Sequence, residues 1–118
     1  DGVALLRSGL DAAETLRRLK AADPQIETRQ VAVMDGTGRT AVFTGSKNIF
    51  WAGHREHEGF CVQGNRLVGP AVLDASADAF ARSPDQPLSQ RFLAALEAGC
   101  AAGGDRQGER SATIYIVA

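Results

Sequence analysis

The stretch QVAVMDGTGRTAVFT, Gln30 to Thr44, decides the fold class of this chain. Its two ends, Gln30 to Asp35 and Thr40 to Thr44, have the apolar and β-branched residues typical of extended backbone. Between them lie Gly36 and Gly38, which can adopt the positive φ that a tight connection needs. The pattern therefore predicts a β-hairpin.

The residues before the hairpin have helical periodicity. Val3, Leu6 and Leu10 fall at i, i+3 and i+7, the apolar stripe of a helix, and Gly9 suits a left-handed helix C-terminus. Because the stripe starts at once and Asp1 is not an initiator methionine, we expect polypeptide upstream of Asp1.

A second helix is predicted to follow directly. Asp11 and Glu14 have the spacing of a capping box, and Pro24 marks the end of the helix. The face that we expect to be buried consists of Ala12, Leu16 and Leu19.

Beyond the hairpin we predict a less regular stretch from Gly45 to Gly53, a polar turn HREHEG, and a third strand from Phe60 to Gln63. Pro70 suits the first turn of a helix that runs to about Arg82. This helix is expected to bury Leu73, Ala77 and Phe80.

The last helix is predicted from Leu88 to about Ala102, and Gly103-Gly104 ends it. Its apolar stripe consists of Leu88, Phe92, Leu96 and Cys100, with Leu93 beside them. The segment ATIYIVA, Ala112 to Ala118, is predicted to be a final strand. Cys100 and Cys61 are interpreted as inert core thiols.

Composition excludes several function classes. The 118 residues include 13 basic and 14 acidic ones, a net charge of -1, so no basic patch for nucleic acid or an anionic membrane is expected. No run approaches the roughly 20 apolar residues that span a bilayer. With two cysteines and no signal peptide, we expect a cytoplasmic setting and no cofactor.

Two segments are apolar without alternation, Val31 to Met34 and Ile114 to Val117. A strand with one face in water should alternate apolar and polar residues, so both faces of these strands need cover. The chain is therefore predicted to be α+β, with antiparallel strands flanked by helices, and to require a second sheet, a missing N-terminal segment or a partner chain. A homo-oligomer is one way to provide that cover.

Polar side chains gather in two glycine-rich segments, Trp51 to Asn65 and Ala101 to Ala112. The candidate ligand-binding residues are His54, Gln63, Asn65, Asp105 and Arg106. For each of them a structural role, such as bonding the backbone of a turn or forming a salt bridge that holds a loop, is the alternative.

The chemistry proposed for these side chains follows from their functional groups. His54 is a candidate proton carrier or ligand contact, because imidazole titrates near physiological pH. The amides of Gln63 and Asn65 suit an amide substrate or an oxyanion. Arg106 suits a substrate carboxylate, and Asp105 suits an amine or the orientation of that arginine.

A metal site at His54, His57 and Cys61 is the weaker interpretation, because no fourth ligand is evident. We therefore expect no metal. Trp51 is interpreted as packing under the loop that follows it rather than stacking on a ligand.

Two long motifs carry a resemblance to a known family. TGSKNIFWAGHREHEGFCVQGNRLVGPAVLDASADAF and LAALEAGCAAGGDRQGERSA agree, in order and spacing, with the bacterial domain-of-unknown-function family 1028. The fold of that family is similar to the N-terminal-nucleophile (Ntn) aminohydrolases. The resemblance implies that residues 1–118 are the C-terminal portion of one four-layer αββα sandwich whose N-terminal strands lie upstream.

The resemblance also implies an activity, amide hydrolysis of a small molecule by the complete protein. In such enzymes an N-terminal Thr, Ser or Cys attacks the carbonyl while its own α-amino group, with a pKa near ~8, acts as the base. Asp1 cannot play this part, so the catalytic residue is expected upstream of Asp1. The alternatives are a non-catalytic ligand-binding module of the same fold and the structural half of a cleaved or assembled protein.

Overall fold

The computed structural model describes residues 1–117, and within them the chain forms four α-helices and two antiparallel β-hairpins. The helices are α1 (Gly2–Arg7), α2 (Ala12–Ala22), α3 (Ala71–Ala81) and α4 (Leu88–Ala101), and a single 3₁₀ turn spans Ile26–Thr28. The strands are β1 (Gln30–Met34), β2 (Thr40–Thr44), β3 (Trp51–His57) and β4 (Phe60–Leu67).

The predicted C-terminal end of the first helix is confirmed, and its N-terminal cap was not predicted. The Asp1 carboxylate accepts a hydrogen bond from the backbone N–H of Val3 at 3.0 Å, which caps α1. Gly9 follows the helix with a φ of 92°, the left-handed conformation that glycine adopts at little cost.

Only one half of the predicted capping box forms at α2. Asp11 Oδ1 accepts from the backbone N–H of Glu14 at 2.8 Å. The Glu14 carboxylate does not reach back to the cap, because it accepts hydrogen bonds from Arg17 and Arg18 instead. These bonds, with Arg17 contributing most, lower the pKa of Glu14 to about 2.

Helix α2 covers one face of the first hairpin. Ala12 and Leu16 are buried against Val33 of β1, as the periodicity predicted, while Leu19 is half-buried beside them. Burying a leucine side chain of this kind contributes about 2 kcal/mol. The opposite face of β1 carries Met34, which stays 47% exposed.

The hairpin of β1 and β2 pairs from Gln30 opposite Thr44 to Met34 opposite Thr40, in agreement with the prediction. Asp35 organises its turn. Its carboxylate accepts from the hydroxyl and the backbone N–H of Thr37, and from the backbone N–H of Ala12 at the start of α2.

The hydrogen bonds to Asp35, above all from the Thr37 hydroxyl, hold its pKa well below the usual range. A carboxyl with a depressed folded pKa stabilises the fold above its unfolded pKa, near 4, and loses that contribution as the pH falls. We therefore expect the urea concentration at the unfolding midpoint to decrease as the pH drops below about 4. In Asp35→Asn this decrease should be less steep. Asp85→Asn, at an exposed loop position, is the control, and equal slopes in all three proteins would contradict the assignment.

The predicted polar turn HREHEG is wrong for most of its length. His54 to His57 belong to β3, which pairs with β4, and the turn is confined to Glu58 and Gly59. Polar side chains of β3 have partners elsewhere in the fold. Arg55 Nε donates to Asp74 of α3 at 2.7 Å. The His57 ring stacks on Phe60 at 4.6 Å. The strand predicted from Phe60 to Gln63 is β4 in the structure, and it is longer than predicted because it continues to Leu67.

The elements pack in a simple order. Helix α2 contacts β1 and β2, α3 contacts β3 and β4, and the two hairpins contact each other through β2 with β3 and β1 with β4. Helix α4 packs on α3. The described chain is thus an α+β domain with antiparallel strands and flanking helices.

The predicted bounds of the last helix are right, but its apolar stripe is largely exposed. Leu88, Leu93 and Leu96 are each more than 40% exposed, and Phe92 is 37% exposed. The buried residue is Gly99, which permits close approach to Ser76 and Val72 of α3. A helical stripe indicates which face is apolar, whereas burial depends on what packs against that face.

Cys100 is exposed rather than buried in a core. The neighbouring Glu109 carboxylate raises the pKa of the thiol. Cys61 is half-buried, and this burial raises its pKa.

The predicted final strand does not form in residues 112–117, and Ala118 lies outside the described residues. A strand needs a hydrogen-bonding neighbour, and within residues 1–117 none lies beside this segment. Tyr115 and Val117 are accordingly 84% and 74% exposed.

Candidate ligand-binding site

The second glycine-rich segment contacts the end of β4, directly after the first segment ends at Asn65. Asp105 forms an antiparallel bridge with Leu67, and the backbone N–H of Arg106 donates to the Arg66 carbonyl at 2.7 Å. Gly104, with a φ of 50°, turns the chain from α4 into this contact and accepts from the Val68 N–H. Tertiary structure thus joins two segments about 40 residues apart in the sequence.

Asp105 and Arg106 are neighbours, but their side chains have different partners. Asp105 Oδ1 accepts from the Gln107 backbone N–H at 2.6 Å. The Arg106 guanidinium lies over the Phe50 ring, 4.8 Å from its centroid. Neither side chain forms an ion pair within residues 1–117, so the salt bridge considered as the alternative is not made there.

Gln30, at the start of β1, is the centre of a polar network that joins the two hairpins. Its Nε2 lies 3.1 Å from the Gly53 carbonyl, 2.9 Å from the Gly64 carbonyl and 3.1 Å from Thr44 Oγ1. Its Oε1 accepts from Asn65 Nδ2 at 2.9 Å. One side chain therefore contacts β2, β3 and β4.

Sequence reasoning missed Gln30. The only available signal was a polar amide at the first position of an otherwise apolar strand. Its role depends on carbonyl groups 23 and 34 residues away in the chain, which no local pattern reveals.

His54 belongs to the same network. Its Nδ1 lies 2.9 Å from Thr44 Oγ1, and the ring is half-buried. The histidine borders a cleft of about 390 Å³. The polar and aromatic residues that line this cleft are Thr44, Ser46, Asn48, Phe50, His54 and Arg55.

Gln63 lies opposite His54 in the β3–β4 register, but its side chain is exposed and makes no hydrogen bond within residues 1–117. It borders a different concavity, an apolar groove of about 710 Å³. Asp105 also lines this groove. Of the five predicted residues, His54 therefore borders the polar cleft, Gln63 and Asp105 border the apolar groove, and Asn65 and Arg106 line neither.

Two backbone positions near the cleft are strained. Phe50 and Arg66 have φ values of 57° and 60°, which non-glycine residues adopt at a cost of roughly 1–3 kcal/mol. The Arg66 N–H donates to the Ile49 carbonyl at 3.3 Å, and this bond connects the two positions. The strain lies where β3 begins and β4 ends, beside Arg106.

No group of three side chains suited to hold a metal ion occurs in residues 1–117. Trp51 packs against Gly53 of its own strand, where a Cβ would lie 2.7 Å from the indole ring. Within the same residues, no helix is both long and apolar enough to cross a membrane.

Comparison with known proteins places the chain in a family. A family model described as a family of unknown function (DUF1028) matches residues 1–118. A crystal structure of protein SPO2555 from Silicibacter pomeroyi, which bears the same family description, aligns with a TM-score of 0.80 and 33% identity. The alignment covers 86% of this chain and 46% of that chain, so the present chain spans less than half the length of this relative. No curated protein matches significantly. The chain belongs to the family of unknown function DUF1028.

Proposed function

We propose that this chain is the pocket-forming portion of an Ntn-type amidohydrolase, and that the complete protein hydrolyses a small amide. The packing order supports the architecture: α2, the β1–β2 hairpin, the β3–β4 hairpin and α3 contact one another in that sequence. A four-layer αββα sandwich has this order of layers.

The observation that carries the functional proposal is the polar network that joins the two hairpins. It combines the amides of Gln30 and Asn65, the Thr44 hydroxyl and the His54 imidazole within one set of hydrogen bonds. Such groups bind the donor and acceptor atoms of an amide, and fixed donors stabilise an oxyanion.

In this proposal the nucleophile is a Thr, Ser or Cys upstream of Asp1, and its α-amino group is the base. Gln63 and Asn65 present amides to the reacting carbonyl. Arg106 holds a substrate carboxylate with its planar guanidinium, and Asp105 holds a substrate amine. His54 contacts the substrate, and none of the five residues attacks it.

The apolar groove supports a further part of the same proposal. It is lined by Phe60, Phe80, Phe92 and Leu96, and it includes Met34 of β1. β1 pairs only with β2, and β4 pairs along its length only with β3, within residues 1–117. We propose that other polypeptide of the complete protein, or a second copy, covers this groove and adds strands to these edges. One of the added strands would also pair with residues 112–117.

The second candidate is a non-catalytic module that binds a polar ligand with the same residues. It is favoured by the chemistry of the five side chains, which all offer hydrogen bonds or charge and include no hydroxyl or thiol. A cytoplasmic setting and a homo-oligomer remain predictions under either candidate.

The two candidates are separated by ammonia release from L-glutamine, L-asparagine and other small amides, measured with the full-length gene product. The enzyme requires a Thr, Ser or Cys after the initiator methionine, and replacing that residue by Ala should abolish release. A residue without a nucleophilic side chain at that position would exclude the hydrolase and leave the binding module.

Replacing Arg106 by Ala is expected to lower kcat/KM for the hydrolysed amide about 100-fold, because one charged contact to the substrate is lost. The stability cost should stay below about 1 kcal/mol, since the guanidinium is exposed and stacks only on Phe50. Asp105→Ala should also lower turnover, and Arg110→Ala, at an exposed position, is the control. A large loss of melting temperature in Arg106→Ala would instead indicate that Arg106 holds the loop.

A further inference from the structure

We propose that Gln30 is a positioning residue which sets the tautomer of the neutral His54 imidazole, with the proton on Nε2, so that His54 is a hydrogen-bond donor in the 390 Å³ cleft. This inference rests on the proposed function, because it assigns the chemical role of His54 within that site. The ligand class it selects has an oxygen acceptor, a carbonyl or a carboxylate, at the histidine.

The first step is the orientation of the Gln30 amide. The atom that lies 3.1 Å from the Gly53 carbonyl oxygen and 2.9 Å from the Gly64 carbonyl oxygen must be a donor, because carbonyls only accept. It is therefore Nε2. The other end accepts from Asn65 Nδ2 at 2.9 Å, so both ends of the amide agree with this orientation.

The second step is the direction of the chain of hydrogen bonds. Gln30 Nε2 carries two protons and faces three oxygens, Thr44 Oγ1 at 3.1 Å among them, so a proton is shared between acceptors, and Nε2 cannot accept from the Thr44 hydroxyl. The Thr44 hydroxyl then has one proton of its own, and its remaining neighbour at hydrogen-bond distance is His54 Nδ1, at 2.9 Å. The hydroxyl donates to Nδ1, and the proton of the neutral imidazole lies on Nε2.

The tautomer of His54 determines which chemistry the ring can perform. His54 Nδ1 is engaged by Thr44, and Nε2 makes no hydrogen bond within residues 1–117. A protonated Nε2 donates to a ligand oxygen and cannot accept a proton in this state. His54 thus binds and polarises a ligand carbonyl rather than acting as a general base, which leaves the base role to another group.

The test is the tautomer of His54, measured by long-range ¹H–¹⁵N NMR on the full chain at about pH 8.5, where imidazoles are neutral. Wild type is expected to show a protonated Nε2 and a hydrogen-bonded, unprotonated Nδ1. Thr44→Ser, which keeps the hydroxyl, should preserve this pattern. In the nearly isosteric Thr44→Val, the Nδ1 resonance should move to that of a free lone pair and the tautomer should become mixed.

A second variant tests Gln30 itself. Gln30→Glu replaces the donor by an acceptor, so the Thr44 hydroxyl should turn to the new carboxylate and the His54 proton should move to Nδ1. His57, which stacks on Phe60, is the internal control and should not change. A proton on Nδ1 in wild type, unchanged His54 resonances in Thr44→Val, or an unchanged tautomer in a folded Gln30→Glu would each overturn the inference. If Gln30→Glu does not fold, the comparison of Thr44→Ser with Thr44→Val decides whether the Thr44 hydroxyl donates to His54 Nδ1. Because no substrate is used, this result is independent of the amide assay.

Discussion

Replacing Gly45 by Ala is expected to lower the free energy of unfolding by about 3 kcal/mol, the upper range for inserting atoms into a packed site. Gly45 is buried at the end of β2, and a Cβ there would overlap the carbonyl group of Glu27 and lie 2.7 Å from its Cα. These are backbone atoms, which cannot rotate away as a side chain can. The Glu27 carbonyl also accepts from the Lys47 N–H at 2.8 Å, so relieving the overlap would break that bond.

The matched control for this prediction is Gly36→Ala in the turn of the first hairpin. Gly36 is exposed, and a Cβ there would have no atom within 4 Å. Its stability should change by less than about 0.5 kcal/mol. Urea denaturation of the three proteins measures both effects, and similar losses for Gly45→Ala and Gly36→Ala would refute the contact argument.

Replacing Gln30 by Ala is expected to cost about 2 kcal/mol, because it leaves several half-buried groups without their partner. The half-buried groups are the carbonyls of Gly53 and Gly64 and the Thr44 hydroxyl, which lose their donor, and the exposed Asn65 amide loses its acceptor. Since these groups belong to both hairpins, we also expect faster amide hydrogen exchange in β3 and β4. A purely local effect would be confined to β1 and β2.

Gln90→Ala is the control for Gln30→Ala. Gln90 is exposed on α4 and its side chain makes no hydrogen bond within residues 1–117, so its removal should change stability by less than about 0.5 kcal/mol. If Gln30→Ala is equally neutral, water replaces the network and Gln30 does not join the hairpins.

Local patterns were sufficient for much of the secondary structure. The first hairpin, α3 and α4 lie within a residue or two of their predicted bounds, because turn glycines, prolines and helical periodicity act over only a few residues. β3 was missed for the opposite reason. Its polar residues, His54 to His57, resemble a loop when taken alone, and they are extended because β4 provides hydrogen bonds.

The candidate site was predicted less completely than the fold. The second glycine-rich segment contacts the end of β4, just beyond the first segment, through Leu67 with Asp105 and Arg66 with Arg106. However, His54 borders the polar cleft, whereas Gln63 and Asp105 border the apolar groove. Asn65 and Arg106 line neither, and Gln30, which joins the two hairpins, was not named. Residue types indicate which chemistry is possible, whereas distances between strands decide which groups act together.

By itself the sequence determined the α+β class, the Asp11 cap of α2, the first hairpin and the two segments that carry polar side chains. Only the tertiary structure decided that Gln30 joins the hairpins, that His54 borders a cleft with Thr44 as its partner, and that the large apolar side chains of α4 remain exposed: Leu88, Phe92, Leu93 and Leu96. The physical reason is the range of the forces involved. Turns, caps and helical periodicity depend on neighbours within a few residues, whereas hydrogen-bond networks and burial depend on surfaces that distant segments supply.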